Sequence, residues 1–377
     1  MPRRGENIYR RKDNRWEGRY IKERDNDNKP KYGYVYAHSY REVKSKLEKA
    51  KLTISNTSYP PQNVQDILFK TIAEEWFEYI QPQIKESTNI KYYNLLNMYL
   101  LPALGEQPIK QITNAQLEKL CYELLTSAGK KNTGLSAKTV TDVLSLIRNI
   151  FKFASQKGIV FLCDANSVKI KQNSKEMHIF STTEQEKLYQ YLCSNLNNYN
   201  VGILLCLFTG IRIGEVCALR WEDISIQEKT IHIHQTMQRI QSRNENKKTK
   251  VIISTPKSQC SVRIIPLPDN LVEIIAQCTV EKNGYFLTGS DNKFVEPRTM
   301  QNHFKKVLKE NSITDTNFHS LRHTFATRCI ELGFDVKSLS EILGHASVNI
   351  TMNRYVHPSM KLKRENMQRL STLIAVK

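Results

Sequence analysis

The sequence predicts a multidomain chain, mainly α-helical, with small β-sheets at its start and in its second half. Three observations indicate this fold class. A length of 377 residues suits two or three domains better than one core. Residues 1–52 contain short aromatic runs broken by turn residues, whereas residues 64–158 carry long amphipathic helical patterns. Residues 175–377 mix helical patterns with short β-branched runs, which is typical of an α/β domain.

Three strands and a helix are predicted for residues 1–52. Ile8–Arg10, Arg15–Ile21 and Tyr32–Ala37 are rich in aromatic or β-branched residues and are separated by turn-forming residues. Residues 41–51 have apolar side chains at helical spacing. A small basic sheet can enter a DNA groove, so we favour DNA binding over a merely solvated basic face. The basic residues that we expect to contact DNA here are Arg10, Arg11, Lys12, Arg15 and Arg19.

A linker and a helical bundle are predicted next. Residues 53–63 are polar and include two prolines, which favours a linker. Residues 64–158 contain four helical patterns with short joints, which predicts a compact bundle. Ser87, Thr113 and Ser136 are placed to cap three of these helices. The basic residues of the bundle form either a DNA-binding surface or an ordinary solvated face. The candidates for DNA contact are Lys91, Lys138 and Arg148.

The last predicted domain, residues 175–377, combines helices with a small sheet. Val201–Thr209 is apolar throughout and ends at a glycine, which predicts a buried helix. Thr230–Gln235 and Val262–Pro266 are short β-branched segments and are predicted to be strands. Helical patterns return from Pro297 onward.

Charge and cysteine content narrow the class of protein. The formal net charge is +19, with Lys+Arg 56 against Asp+Glu 37, and such an excess attracts nucleic acid. No apolar run approaches the roughly 20 residues of a membrane-spanning helix, and no secretory signal is expected. The eight cysteines include no C-x-x-C pair and are predicted to be reduced core residues. We therefore expect a cytoplasmic protein that binds nucleic acid.

Four short motifs in residues 175–377 carry reactive side chains. In T-G-I-R-I-G-E, Arg212 and Glu215 are three residues apart, so the carboxylate can hold the guanidinium for an incoming phosphate. In H-S-L-R-H-T-F-A-T, His319 and Arg322 share a helical face at the same spacing. The other two are an L-G-H turn and a single tyrosine. Each motif alone is compatible with an ordinary ion pair, a structural histidine or a packed tyrosine.

The third and fourth motifs follow the first two along the chain, close to its end. The L-G-H turn ends at His345, and Tyr355 follows ten positions later. Together the four motifs resemble the catalytic signature of the tyrosine recombinase (phage integrase) family. The resemblance covers all of residues 175–377. The helical segment is similar to the family's core-site-binding domain, and residues 1–52 resemble the arm-site-binding domain of integrases from conjugative transposons and related prophages.

The resemblance implies an activity and a set of partners. It implies a site-specific recombinase that cleaves and rejoins double-stranded DNA through a 3′-phosphotyrosine intermediate to integrate and excise a mobile element. It also implies a homotetramer on paired core and arm sites, helped by DNA-bending or excision accessory proteins. Because arginine and lysine supply the positive charge, and no carboxylate cluster or phosphate-binding glycine loop is evident, we expect no metal, ATP or other cofactor.

The resemblance also implies a role for each reactive residue. Phosphodiester cleavage needs a nucleophile and neutralisation of the negative charge that develops on the phosphate. Tyr355 is the implied nucleophile. Arg212 and Arg322 would clamp the two non-bridging oxygens, because forked guanidiniums suit that geometry. His345 would add a further hydrogen bond to the phosphate, and Glu215 would orient the arginine.

Proton transfer is assigned to two more residues. His319 would accept or return the tyrosine proton. Lys257, in the Thr255-Pro256-Lys257-Ser258 turn between two predicted strands, would give a proton to the departing 5′ oxygen. Other lysines in the same connection are alternatives, and Lys257 is preferred because its turn precedes the strand Val262–Pro266.

Several alternatives stay open at this stage. A type IB topoisomerase has a similar site, and a non-catalytic DNA-binding regulator is a second rival, although a pure binder needs no reactive tyrosine. His232 and His234 are either a metal-binding pair or, as we favour, residues on the exposed face of a strand near DNA. His323 is interpreted as structural or as a support for the site. Residues 367–374 are predicted to form a helix that docks either on a neighbouring protomer or on its own domain.

Overall fold

A computed structural model describes most of the chain and confirms the predicted fold class. The described residues are 7–11, 13–24, 30–55, 67–129, 133–171, 177–242, 248–256, 259–278, 283–356, 363–364 and 367–368. They are mainly helical and contain small antiparallel sheets. The chain divides into two compact units, Met1–Ile84 with Tyr92–Lys171 and Lys85–Lys91 with Gln172–Lys377.

The start of the chain forms the predicted three-stranded sheet and helix. The elements are β1 (Ile8–Arg10), β2 (Trp16–Arg24), β3 (Pro30–Ala37) and α1 (Tyr40–Ser55). The strands are antiparallel in the order β1-β2-β3. Ile8, Val43 and Leu47 are buried between the sheet and α1. Helix α1 includes residues 53–55, which were predicted to begin the linker, while residues 56–63 lie outside the described part.

The helical segment forms the predicted bundle. Its helices are α2 (Phe69–Ile80), α3 (Glu86–Leu95), α4 (Leu101–Leu104), α5 (Asn114–Thr126) and α6 (Ala137–Gln156). A π-helical turn, Leu96–Leu100, joins α3 to α4. Thr113 and Ser136 cap α5 and α6 as predicted. The prediction for Ser87 was wrong, because α3 begins at Glu86. Ser87 therefore lies inside the first turn of the helix and not at its N-cap.

The core of the bundle extends beyond the predicted segment. Cys163, Ala165 and Val168 are buried in the same apolar cluster as the faces of α2, α5 and α6. Arg148 of α6 holds this added stretch, because its guanidinium donates to the carbonyls of Ala165 and Val168 at 3.0 and 2.7 Å. The core of the bundle therefore continues to Val168, ten residues beyond the predicted boundary at residue 158.

The last part of the chain surrounds one large apolar core. Its first elements are α7 (Thr182–Ser194), α8 (Asn198–Thr209), α9 (Ile213–Ala218), β4 (Ile224–Ser225), β5 (Thr230–Ile233), β6 (Thr236–Gln241), β7 (Thr249–Ser254) and β8 (Arg263–Pro266). The later elements are α10 (Asp269–Ala276), α11 (Pro297–Glu310), α12 (His319–Glu331), α13 (Val336–Leu343) and α14 (Val348–Tyr355). Helix α8 is buried on nearly every side, as its apolar sequence predicted.

The strands of this part differ partly from the prediction. β5 and β8 confirm the two predicted strands, and they pair with each other and with β4 in the order β4-β5-β8. The hairpin of β6 and β7 was not predicted. The hairpin was missed because its residues alternate only weakly between apolar and polar. In addition, β6 begins shortly after β5 ends, so the two strands were not separated by a clear turn signal.

Two predictions about the whole chain can be compared with the structure. All eight cysteines are unpaired, as expected, but the prediction that they are core residues was wrong for Cys260, which is exposed. Within the described residues, no helix has both the length and the apolar content to cross a membrane.

Candidate active site

Arg212 lies at a tight turn between two helices. Helix α8 ends at Gly210, whose φ of 65° lies in the left-handed region that favours glycine. A Cβ at that position would lie 2.5 Å from a ring carbon of Phe325, so a larger residue does not fit. Arg212 then occupies the N-cap position of α9. The short turn therefore fixes the backbone position of Arg212, from which its guanidinium extends.

Glu215 is a buried anchor for two arginines. Its carboxylate accepts from the Nη1 of Arg212 at 2.7 Å, from the Arg212 backbone at 2.9 Å and from the Nη2 of Arg263 at 2.9 Å. Burial works to raise the pKa of the Glu215 carboxyl, but the charges of Arg263 and Arg212 outweigh it and leave the pKa lowered. The carboxylate is therefore ionised, and its negative charge is neutralised by these two arginines.

Arg263 also binds Glu215, although its sequence context did not mark it as a residue of the site. It begins β8, and its side chain is only 6% exposed. Besides Glu215, its guanidinium donates to the carbonyls of Ile342 at 2.5 Å and Ser261 at 2.9 Å. Arg263 thus ties β8 to the end of α13, while Arg212 on the other side of Glu215 stays 35% exposed.

Arg322 is held by the two turns that flank the site. It lies on α12 and is buried, and it donates to the carbonyl of Gly210 at 2.8 Å and to that of Leu343 at 2.6 Å. Burial and the charge of Arg212 lower the pKa of Arg322 to about 9, so it stays protonated at neutral pH. Helix α13, like α8, ends at a glycine in the left-handed region, Gly344.

Tyr355 ends α14 and faces the same cluster. Its side chain is 5% exposed, and its hydroxyl lies 2.9 Å from the Nδ1 of His323. Burial raises the pKa of the phenol, while Arg322 and Arg354 act in the opposite direction. The ring stacks parallel to that of His345 with centroids 6.4 Å apart. The tyrosine is therefore protonated at neutral pH and needs a base before it can act as a nucleophile.

Three histidines around the tyrosine are neutral. Burial and the neighbouring arginines lower the pKa of His345 to about 3, and burial with nearby positive groups lowers those of His319 and His323 to about 4. His319 and His323 meet edge to face at 4.6 Å. His345 is fixed by the hydroxyl of Thr351, 2.8 Å from its Nδ1. Neutral imidazoles accept protons and donate hydrogen bonds without adding charge.

The predicted site residues divide into three groups. Arg212, Glu215, His319, Arg322, His345 and Tyr355 form one cluster, as the contacts and pKa shifts above show. His323 was interpreted as a support, yet it touches the tyrosine hydroxyl directly. Lys257 and Lys12 lie outside the described residues. No signal in the sequence marked Arg263, because its contacts join segments far apart in the chain.

The predicted DNA-contacting residues of the first sheet share a face with tyrosines. Arg19 lies over the ring of Tyr32 at 4.0 Å, and Arg11 and Arg15 lie over that of Tyr36 at 5.5 and 5.7 Å. Arg10 donates from its Nη2 to the Oδ1 of Asn14 at 3.2 Å. The result is an exposed face of cations and aromatic rings.

The predicted contacts of the bundle are more varied. Lys138 pairs with Asp142 at 2.9 Å and is largely exposed. Lys91 is exposed on α3. Arg148 holds backbone carbonyls of its own unit, a structural role that the sequence did not indicate.

The fold and the site define a class: DNA strand-transfer enzymes that use a tyrosine and an arginine-rich pocket. The model of the "Phage integrase family" matches residues 178–361, and that of the "Phage integrase, N-terminal SAM-like domain" matches residues 68–125. Together these ranges cover well over half of the chain. The chain belongs to the phage integrase family and is a site-specific tyrosine recombinase that acts on DNA.

Individual relatives agree with this assignment. A "Tyrosine recombinase XerC-like" protein of Caldanaerobacter subterraneus is 26% identical over 337 residues, covering 82% of this chain and 84% of its own. The Tn1549 transposon integrase in complex with transposon right end DNA superimposes with a TM-score of 0.67 at 19% identity, covering 81% of this chain and 100% of its own. A lambda integrase tetramer bound to a Holliday junction gives 0.56 at 17%, covering 90% and 96%.

Proposed function

We propose that this recombinase integrates and excises a mobile element, and that Tyr355 forms a 3′-phosphotyrosine intermediate. One observation carries the proposal. The hydroxyl of Tyr355 lies beside the neutral His323 and close to the positive charge of Arg322. The carboxylate of Glu215 is paired with Arg212 and Arg263. Such a pocket suits an oxyanion on phosphorus, because it offers positive charge without an exposed negative group.

The first chemical step moves two protons and exchanges one bond to phosphorus for another. The phenol oxygen attacks phosphorus, the new O–P bond forms, and the bond to the 5′ oxygen breaks. His323 is positioned to take the phenol proton at 2.9 Å, while the resemblance implies His319 for that role. His319 lies against the ring of His323, so it supports the same base. A proton from Lys257 completes the leaving 5′ hydroxyl.

The two arginines contribute differently to binding the phosphate. Arg322 uses two N–H groups on backbone carbonyls, which leaves its remaining donors at a fixed position. Arg212 is held by Glu215 on one side and is partly exposed on the other. We infer that Arg212 meets the phosphate as DNA arrives and that Arg322 supplies the buried, preoriented half of the clamp.

DNA recognition is assigned to the other parts of the chain. The sheet face of Arg11, Arg15 and Arg19 with its tyrosines suits binding of arm sites, and the bundle suits binding of core sites. Strand exchange would use a homotetramer on paired sites, with accessory DNA-bending or excision proteins. The tetramer of the structurally similar lambda integrase, bound to a Holliday junction, supports this assembly. Residues 367–374 would dock on a neighbouring protomer or on their own domain, and residues 369–374 of this segment lie outside the described part of the chain.

The test is a nicked suicide substrate that carries the ends of the mobile element. We expect a covalent protein–DNA adduct on a denaturing gel, and its loss in Tyr355→Phe. A plasmid with paired sites should then recombine, whereas a topoisomerase would relax supercoiled DNA without paired sites. Absence of an adduct from wild-type protein that binds the same DNA would favour a non-catalytic regulator and contradict the proposal.

A further inference from the structure

The sheet β4-β5-β8 carries a second cluster of reactive side chains, which shares no residue with the proposed catalytic cluster. In β5, Ile231 and Ile233 are buried, so His232 points to the exposed face. His234 follows directly after the strand, and its ring stacks on that of His232 with centroids 4.9 Å apart and 27° between the planes. Two imidazoles therefore stand side by side on one face.

A third side chain reaches the pair from the short 3-10 turn that precedes β4. β4 pairs with β5 through Ile224 opposite Ile231, and extending this register by one residue places Asp223 opposite His232. The Oδ1 of Asp223 lies 2.8 Å from the Nε2 of His234. The ligand atoms of the three residues all lie within 4.8 Å of one another.

The carboxylate of this cluster is preoriented. Its Oδ2 accepts from the backbone N–H of Arg220 at 3.0 Å, and the side chain is only 9% exposed. The guanidinium of Arg220 is itself paired with Glu222 and Asp291 at 2.8 and 2.5 Å. A cation approaching Asp223 therefore meets a fixed acceptor and little uncompensated positive charge, even though the whole chain is basic.

We propose that Asp223, His232 and His234 bind one divalent transition-metal ion, for which Zn²⁺ is the best match. Two nitrogens and one oxygen suit Zn²⁺ better than Mg²⁺ or Ca²⁺, which favour oxygen ligands. With bonds of about 2.1 Å, tetrahedral ligands lie about 3.4 Å apart. The ligand atoms lie within 4.8 Å of one another, so the most distant pair needs to close by at most about 1.4 Å. The fourth position is left to water.

The proposed ion has a structural role and goes beyond the recombination reaction. It would join the turn before β4 to the end of β5, the strand that pairs with β8. Among the described residues, no other group of three histidine, cysteine or acidic side chains has its ligand atoms this close together. The catalytic histidines are therefore a separate and less favourable site for metal.

The experiment uses the full chain without a histidine tag, freed of metal by a chelator. Zn²⁺ is titrated against a chromophoric chelator, and Co²⁺ is added separately to record its visible spectrum. We expect one ion per chain, a four-coordinate Co²⁺ spectrum and a Zn²⁺-dependent rise in melting temperature. His232→Ala and Asp223→Asn should each weaken Zn²⁺ binding by about tenfold or more, because each removes a ligand.

Two controls make the result decisive. His38→Ala removes an exposed histidine of the first unit and should leave Zn²⁺ affinity unchanged. His232→Ala should form the covalent DNA adduct at the wild-type level, because the residue lies outside the catalytic cluster. Unchanged Zn²⁺ affinity in His232→Ala would overturn the proposal. So would loss of the ion in His323→Ala, because that would locate it among the catalytic histidines.

Discussion

The arginines of the catalytic cluster and those of the N-terminal sheet are held in contrasting ways. Arg263 and Arg322 are buried and donate to a carboxylate or to backbone carbonyls, and Arg212 is fixed by the same buried Glu215. Arg15 pairs with the exposed carboxylate of Asp13, and Arg19 lies over the exposed ring of Tyr32. The arginines around Tyr355 are thus oriented by buried partners, whereas the partners of the sheet arginines lie at the protein surface.

This contrast has an energetic meaning. Donors that are oriented in advance stabilise a transition state without reorganisation, so each one strongly affects rate. Exposed cations mainly displace counterions from DNA, so each one changes affinity modestly and in a salt-dependent manner. Substitutions in the two regions should therefore differ in size and in the quantity that they change.

The largest effect is expected for Arg212→Ala. We expect adduct formation on the suicide substrate to fall about 10²–10³-fold, because one donor to the charged phosphate is lost. DNA affinity should change little, since most contacts lie elsewhere. Arg239→Ala is the matched control, because Arg239 forms an exposed ion pair with Glu296. Single-turnover cleavage near the wild-type rate in Arg212→Ala would remove the distinction between the two regions.

An intermediate effect is expected for Arg263→Lys. Lysine keeps the charge but cannot reach Glu215, Ile342 and Ser261 together. We expect cleavage to slow by about 10- to 100-fold with unchanged DNA affinity, because small misplacements of reacting groups are costly. Arg239→Lys should be silent. If Arg263→Lys weakened only the melting temperature and not the cleavage rate, the residue would be structural and not a positioning residue.

A pH effect should come from the neutral histidines. Their folded pKa values of about 3 to 4 lie below the ordinary 6.5, so the unfolded chain binds more protons between those values. Stability is therefore fully present above about pH 6.5 and is lost as pH falls toward 4. Melting temperatures measured from pH 8 to pH 4.5 should decline, and His345→Gln should flatten that decline. An unchanged slope in His345→Gln would contradict the assignment.

The smallest effect is expected for Arg19→Ala on the N-terminal sheet. Affinity for arm-site DNA should fall a few-fold, and the slope of log affinity against log salt should decrease by about one. Cleavage of a substrate that contains only a core site should stay unchanged. A large loss of core-site cleavage would show that the sheet acts in catalysis and would break the comparison.

Local patterns predicted much of this architecture. Gly210, Arg212 and Glu215 were identified because their contacts lie within one helical turn, and α8 was identified by its continuous apolar run. The caps at Thr113 and Ser136 were predicted for the same reason. Interactions between neighbours in sequence leave a periodic or compositional signal that can be recognised.

Contacts between distant segments left no such signal. Arg263 meets Glu215 across 48 positions, and His323 meets Tyr355 across 32. Each is an ordinary residue in its own segment and acquires a role only when α9, β8, α12 and α14 pack together. Asp223 likewise joins His234 only through the pairing of β4 with β5. Side-chain roles of this kind depend on the packing of the domain.

The most direct measurement is to identify the residue bonded to DNA. Wild-type protein is trapped on the suicide substrate, digested with protease and nuclease, and the modified peptide is sequenced by mass spectrometry. We predict a nucleotide 3′-phosphate on the oxygen of Tyr355. A phosphate on any other residue, or one attached through the 5′ end of the DNA, would contradict the mechanism.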